Sequence, residues 1–365
     1  MTKRLEVHPD IRQARRLDGA FYHEPELYSR ALERIFARSW QWLGPTGEAP
    51  GPGEALPFTF LEGSLDEPLL LTWAEGGKMK LLSNACTHRG MLLCTGSHSQ
   101  RHLRCPYHGR RFLLDGAFVS TPGFEGAEGF PSAEEDLPQL ALEELDGHLF
   151  GAVDPAVGFK ETAGSFRSIS SFAPLGKMRE NHRAAKVCEL KANWALFVED
   201  HLEGFHVPVV HSEPGGPANH AANRTELFPW SVLYVRIAAG ADPVFWLPEN
   251  HPDSGKRVAA FHWWIWPNLM LDLYPWGLSL IRVDPLGPAR CRVTSRSFSD
   301  RPESTGAGAG SDLRGEELED EEFVETVQRG VRSRLRRSGR YSPAHEAGVH
   351  AFHRMIAAAM AGSAE

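Results

Sequence analysis

Two short ligand-bearing loops constrain this chain more than any other feature of its sequence. They are Cys86-Thr87-His88-Arg89-Gly90 and, sixteen intervening residues after His88, Cys105-Pro106-Tyr107-His108-Gly109. Two thiolates and two imidazoles on a pair of turns can hold a tetrahedral zinc or a [2Fe–2S] cluster. Zinc ribbons and fingers pair cysteines two to four residues apart, whereas C-x-H followed by C-x-x-H places one cysteine and one histidine on each loop. Both loops can then reach both metal ions, with thiolates on one and imidazoles on the other. The plainer alternative is a pair of surface loops, which needs four ligand types to fall in this order by chance. The glycines permit tight turns, and Pro106 stiffens the second. Cys94, His98 and His102, between the loops, are read as bystanders.

From Phe58 to about Asp154 the runs FTFLE, PLLLTWA, KMKLLSN and RFLLDGAFV are short, β-like and punctuated by turn residues, which predicts a small antiparallel β domain around the loops. Before it, Tyr28, Leu32, Ile35, Phe36 and Trp40 recur at helical spacing after Pro25, and GEAPGPGEALP marks the entry to a new unit. After it come a predicted helix over 193–206, an irregular stretch over about 212–229, five strand-like runs, an acid-to-basic helix from about Gly315 to Arg337 and a last helix from about Ser342.

Composition narrows the classes. The chain has 365 residues, 42% in the hydrophobic set, and a formal net charge of −8, which gives it no overall field to gather nucleic acid. No run reaches the roughly 18 apolar residues of a membrane helix. The opening MTKRLEVHPDIRQARRLDG holds no apolar segment, so no secretion signal is expected. Five cysteines, an odd and thin scatter, argue against a disulfide framework and for a cytoplasmic setting. Gly306-Ala307-Gly308-Ala309-Gly310 lacks the glycine spacing and the leading strand of a dinucleotide loop, so no nicotinamide or flavin is expected on this chain.

A second constellation lies downstream. On a helical wheel over 193–206, Trp194, Phe197, Val198, Leu202 and Phe205 gather on one side, and Glu199, Glu203 and His206 nearly opposite. Pro208 is expected to end that helix and let His211 fold back beside His206. In ELEDEEFVETVQRGVRSRL, Asp320 falls on the stripe of Val324, Val327 and Val331, where a carboxylate needs a cation or hydrogen bonds. Two histidines and a carboxylate form the facial triad of non-heme Fe(II) oxygenases. Taken alone the pattern also fits a structural histidine and first-turn acids that complement the helix dipole. His345, Glu346, His350 and His353 are read as helix-face residues, and His201 as pointing away from the Glu203 and His206 face.

Together, N-W-x(4)-[DE]-x(3)-E-x-x-H-x(4)-H downstream of C-x-H-x(16)-C-x-x-H resembles the α subunit of Rieske non-heme iron oxygenases, over about residues 25–355. Met91 and Tyr107 stand where high-potential respiratory Rieske proteins carry extra cysteines, so the likeness is to the low-potential oxygenase branch. The resemblance implies an α+β chain: an N-terminal helical segment over 1–45, a Rieske β domain over 46–154, and a catalytic domain over 155–365. That last domain would be of the helix-grip, START-like type, an antiparallel sheet with a long C-terminal helix. It implies a [2Fe–2S] cluster on Cys86, His88, Cys105 and His108, and a mononuclear Fe(II) on His206, His211 and Asp320. Asp320 matches through E-D-x(3)-x-E-x-V-Q. Glu203 is implied to link a Rieske histidine of one subunit to an iron-ligand histidine of its neighbour in a homotrimer. Many members have Asn where this chain has Asp200, and Trp where it has Arg110.

The activity so implied is that of a terminal oxygenase, mono- or dioxygenase. It would use O2 and electrons from a separate NAD(P)H-dependent reductase or ferredoxin to hydroxylate or oxidatively demethylate a small molecule. Trp263, Trp264, Trp266, Tyr274 and Trp276 lie on candidate strands; some serve the core, and the rest suit an arene or a quaternary ammonium group. The E-x-x-H wording is similar to members that oxidise choline- or carnitine-like compounds. The competing readings are a Rieske electron carrier without oxygenase activity and a helix-grip ligand-binding module.

Overall fold

Apolar runs bounded by turn residues become ladders of antiparallel strands. The computed structural model describes residues 5–74, 76–97, 99, 101–206, 223–238, 243–301 and 313–362, with 313–320 through the backbone alone. The chain divides into two units, residues 40–155 and residues 1–39 with 156–365.

In the first unit, six strands pair in the order β1-β9-β8-β4-β3-β2. These are β1 (Gln41–Pro45), β2 (Ala55–Phe60), β3 (Glu67–Ala74), β4 (Lys78–Ser83), β8 (Gln139–Leu145) and β9 (His148–Ala152). A smaller sheet holds β5 (His102–Arg104), β6 (Arg111–Leu113) and β7 (Phe118–Ser120). The run RFLLDGAFV forms a hairpin of β6 and β7. It folds at Asp115-Gly116, where Gly116 takes φ +93°, a conformation that suits glycine and costs other residues. Leu70, Leu82, Leu103, Phe112, Leu114 and Leu137 pack into one buried cluster that includes Cys86 and Cys105.

The second unit is built on an antiparallel sheet in the order β10-β17-β16-β15-β14-β13-β12, with β11 (Lys186–Leu190) also paired to β17. The other strands are β10 (Arg179–Glu180), β12 (Arg224–Phe228), β13 (Ser231–Ile237), β14 (Val258–Ile265), β15 (Leu269–Tyr274), β16 (Gly277–Gly287) and β17 (Arg290–Ser299). Strand β12 lies within the stretch read from sequence as irregular. Among the described residues five α-helices accompany the sheet: α1 (Pro25–Ala31), α2 (Phe159–Ser170), α3 (Trp194–His201), α4 (Leu313–Val331) and α5 (Ala347–Ala361). Helix α2 was not legible in the sequence.

Alternation along β14 sends Trp263 and Trp264 to opposite faces. Trp263 meets Phe166 of α2, centroids 5.8 Å apart, and Trp264 meets Phe352 of α5 at 5.1 Å. The N-terminal segment packs closely on the end of α4, where a Cβ at Gly19 would lie 2.5 Å from the Val331 carbonyl oxygen. Among the described residues no helix is long and apolar enough to cross a membrane.

Candidate metal centres

The two cysteine-histidine loops have the same construction. Gly90 N–H donates to the Cys86 carbonyl (2.8 Å) and Cys86 N–H to the Met91 carbonyl (2.9 Å). Gly109 N–H donates to the Cys105 carbonyl (3.0 Å) and Cys105 N–H to the Arg110 carbonyl (2.8 Å). Each turn closes on a glycine of positive φ, +69° at Gly90 and +76° at Gly109. The turns bring the Cys86 and Cys105 thiols within hydrogen-bonding reach, and burial pushes the Cys86 thiol up from its ordinary pKa. The rings of His88 and His108 meet edge-on, with centroids 4.7 Å apart. Burial and the neighbouring His108, Arg110 and Arg89 hold the His88 imidazole below its ordinary value. Both cysteines are buried, while Tyr107 is exposed and lies over the His108 ring at 3.7 Å. A thiol pair beside an imidazole pair is the donor set that a two-iron cluster needs, so these residues fit it. Cys94 is buried in the same unit and His102 lies on β5; His98 lies outside the described residues.

Arg110, which follows the second loop, is 2% exposed. Its guanidinium lies 5.2 to 5.6 Å from the ring centroids of Phe118, Phe124 and Phe130. Nη1 donates to Thr87 Oγ1 and Glu135 Oε2, both at 2.8 Å, and Thr87 Oγ1 donates to the Glu135 carbonyl at 2.9 Å.

In the second unit the predicted 14-residue face does not exist. Helix α3 starts at the Asn193 cap, whose Oδ1 accepts from Ala195 N–H (2.9 Å), and it ends at His201, before Pro208 can act. Leu202 N–H closes the last turn on the Val198 carbonyl (3.1 Å). Two residues on, Gly204 lets Tyr234 approach so closely that a Cβ there would lie 3.0 Å from its hydroxyl. Glu203 and His206 therefore stand on the turn after the helix, and Phe205, expected on the apolar side, is 56% exposed.

Glu199 does not join them. It is buried, paired with Arg16, accepts from Tyr22 Oη (2.7 Å) and lies 3.0 Å from His353 Nε2. Burial drives this carboxyl up, but His353 and Arg16, with hydrogen bonds from His353 and Tyr22, bring it down to about 2. Arg16 also meets Glu346 at 2.6 Å, and Tyr341 Oη lies 2.7 Å from His353 Nδ1. His350 Nε2 lies 2.8 Å from the His8 carbonyl, so Glu346, His350 and His353 are partners of the N-terminal segment as much as residues of a helix face.

Glu203 Oε1 lies 2.8 Å from His206 Nδ1, with Asp200 at 3.9 Å. A carboxylate on Nδ1 orients the ring and makes Nε2 the nitrogen that would meet a metal. Of the expected iron ligands only the His206 side chain is described. His211 lies outside the described residues, and Asp320 is helical within α4 with its side chain outside them. Among the described residues no three His, Cys, Asp or Glu side chains converge on one metal-sized point. The stripe of α4 is corrected at one position. Val324 and Val331 are buried, but Val327 is 48% exposed and Gln328 takes the inner place. Gln328 accepts from Asn193 N–H (2.8 Å) and donates to the Tyr22 carbonyl (3.0 Å), tying α4 to the start of α3.

A polar row crosses the sheet under α3. Register partners run Tyr234↔His262↔Asp272↔Ser279↔Ser297 across β13 to β17. Asp272 is 5% exposed, accepts from His262 Nδ1 (2.9 Å) and lies 3.5 Å from His201 Nε2. Burial would raise its carboxyl, yet His201 and His262 hold it below the ordinary value, while burial holds His201 down. Around His262 stand the rings of Tyr274 (5.8 Å) and Tyr234 (5.9 Å), and Tyr274 stacks on Trp276 at 5.1 Å. His201, read as pointing away from the Glu203 and His206 face, meets Asp272 instead, and Asp272 was missed. An acid in the middle of LMLDLY was the signal.

The chain is similar to known proteins in sequence and fold. Residues 39–131 match the model of the Rieske [2Fe-2S] domain, and residues 178–362 that of the ring hydroxylating alpha subunit (catalytic domain). The chain is 28% identical over 355 residues to the chloroplastic choline monooxygenase of Spinacia oleracea, covering 92% of this chain and 76% of that one. It is 25% identical over 362 residues to the carnitine monooxygenase oxygenase subunit of Escherichia coli (strain K12), covering 93% and 92%. Two solved structures share the fold at 21% identity, each with a TM-score of 0.72. One is a quaternary ammonium Rieske monooxygenase in complex with L-carnitine, with 95% and 96% of the two chains covered. The other is naphthalene 1,2-dioxygenase from Rhodococcus sp. bound to indole, with 96% and 95% covered.

Proposed function

This chain belongs to the ring-hydroxylating α subunits that carry a Rieske domain and is a terminal oxygenase of that family; on that premise we propose that its substrate is a small quaternary ammonium compound. The observation that carries the choice is Asp272. Aromatic faces such as Tyr234, Tyr274 and Trp276 suit either an arene or an alkylated ammonium. A buried carboxylate, held below its ordinary value by His201 and His262, places an anionic group on that sheet face, which favours a cation and penalises a neutral ring. The choline and carnitine monooxygenases among its relatives agree with this reading.

In the proposal, Cys86, Cys105, His88 and His108 hold the cluster, and His206, His211 and Asp320 hold the single iron. When bound, these groups supply one-electron transfer and O2 activation. The protein's own part is to orient and to exclude water. Glu203 fixes the His206 ring through Nδ1 and holds the proton there. The burial of the Asp272 row keeps a bound cation away from bulk water. Rieske oxygenases draw electrons from a separate reductase. We place this chain in a cytoplasmic homotrimer in which Glu203 joins His206 to a Rieske histidine of the next subunit. A solved relative is described in terms of inter-subunit electron transfer, which supports that arrangement.

The test is a substrate panel with a surrogate reductase, following O2 uptake against product. Trimethylammonium alcohols and acids are expected to couple uptake to product; arenes and aryl ethers are expected to give neither. Asp272→Asn is expected to raise KM for the cationic substrate at least about tenfold, the equivalent of ~1.4 kcal/mol. Arene turnover with no response to quaternary amines would overturn the choice.

A further inference from the structure

Arg110 stands where many family members carry Trp, and it does more than fill that space. It places a permanent cation, 2% exposed, inside a wall of three phenylalanine rings. Its carbonyl accepts from the N–H of Cys105, and its Nη1 donates to Thr87, the residue between Cys86 and His88. Phe124, one of the three rings, also touches the His88 ring at 5.3 Å. The charge is thus fastened to both ligand loops at once. Its counter-ion, Glu135, has a side chain 21% exposed, against 2% for Arg110. Water screens the carboxylate more than the guanidinium, so the field of the pair inside the domain stays positive.

We infer that Arg110 sets the reduction potential of the cluster site, raising it by stabilising the reduced form, with Glu135 as the partial counterweight. The inference rests on the cluster assignment to Cys86, His88, Cys105 and His108. Reduction adds one electron from the reductase to the oxidised site. No bond forms or breaks in that step, and the site becomes one charge more negative. A buried cation nearby stabilises that added charge, and removing the cation reverses the effect.

The experiment is redox titration of the purified holoprotein with dithionite, followed by visible absorbance and EPR, on four forms. Arg110→Met keeps the bulk in the aromatic wall but removes the charge. It is expected to lower the midpoint potential by about 59 mV or more, tenfold in the one-electron equilibrium. Arg110→Lys keeps the charge and is expected to stay near the wild type. Glu135→Gln keeps an acceptor for Nη1 and is expected to raise the potential. A purely structural role for Arg110 predicts no opposed shifts. If the Glu135→Gln potential is unchanged or falls, or the Arg110→Met potential is not lowered, the inference is wrong. Should Arg110→Met fail to assemble the cluster, the Glu135→Gln shift decides alone. Failure of the cluster assignment itself reads differently, as a wild type without the cluster's EPR signal.

Discussion

Asp320→Ala is expected to lower iron from about three atoms per chain to about two, while the cluster's absorbance and EPR signal stay intact. The reasoning is local. A mononuclear site with one carboxylate loses its anionic ligand, and two imidazoles alone hold Fe(II) weakly. Turnover should fall by more than about 100-fold, beyond the range for loss of an outer partner. His206→Ala should do the same. Glu203→Gln differs in kind, because the amide can still accept at His206 Nδ1 or donate to it but carries no charge. It should keep three irons and slow turnover by roughly 10- to 100-fold. Iron assay, spectra and steady-state rates on the three variants separate the roles. Full iron content in Asp320→Ala would remove it from the ligand set.

The unequal legibility of the two centres has a physical cause. The loops around Cys86 and Cys105 are closed by hydrogen bonds within five residues, so spacing alone described them. The second centre depends on where α3 stops, and it stops at His201, short of Gly204, a residue that favours helix ends. Tyr234 comes from β13 to lie against Gly204, a contact that spacing within 193–206 does not report. The wheel therefore overran the helix and merged Glu199 with Glu203 and His206. Val327 and Gln328 show the same limit. Gln328 faces inward because the orphan N–H of Asn193 and the Tyr22 carbonyl need partners there, a demand met across more than a hundred residues of sequence. A carboxylate in an apolar run needs a partner, and Asp272 in LMLDLY carries that signal as plainly as Asp320 does, pointing to the polar row.

Glu199→Ala is expected to be strongly destabilising, although Glu199 is not one of the expected metal ligands. The substitution deprives Arg16, Tyr22 and His353 of their common acceptor in a buried setting. Breaking a buried ion pair by removing one partner typically costs about 3–5 kcal/mol. Arg16 keeps Glu346 at 2.6 Å, which places the expected loss at the lower end, about 3 kcal/mol. For a unit of this size that is roughly 6–12 °C in Tm. The pH dependence gives a second, independent reading. The folded carboxyl sits at about 2, below the 4.5 of the free group, so its contribution is fully present above pH 4.5 and is lost as pH falls through 2. Wild type should therefore lose this share of stability between pH 4.5 and 2, whereas Glu199→Gln, weaker at neutral pH, should show a shallower decline over that window. Calorimetry or circular dichroism from pH 7 to 2 on the three forms checks both signs. Parallel profiles for wild type and Glu199→Gln would mean that the carboxylate is not what joins the N-terminal segment, α3 and α5.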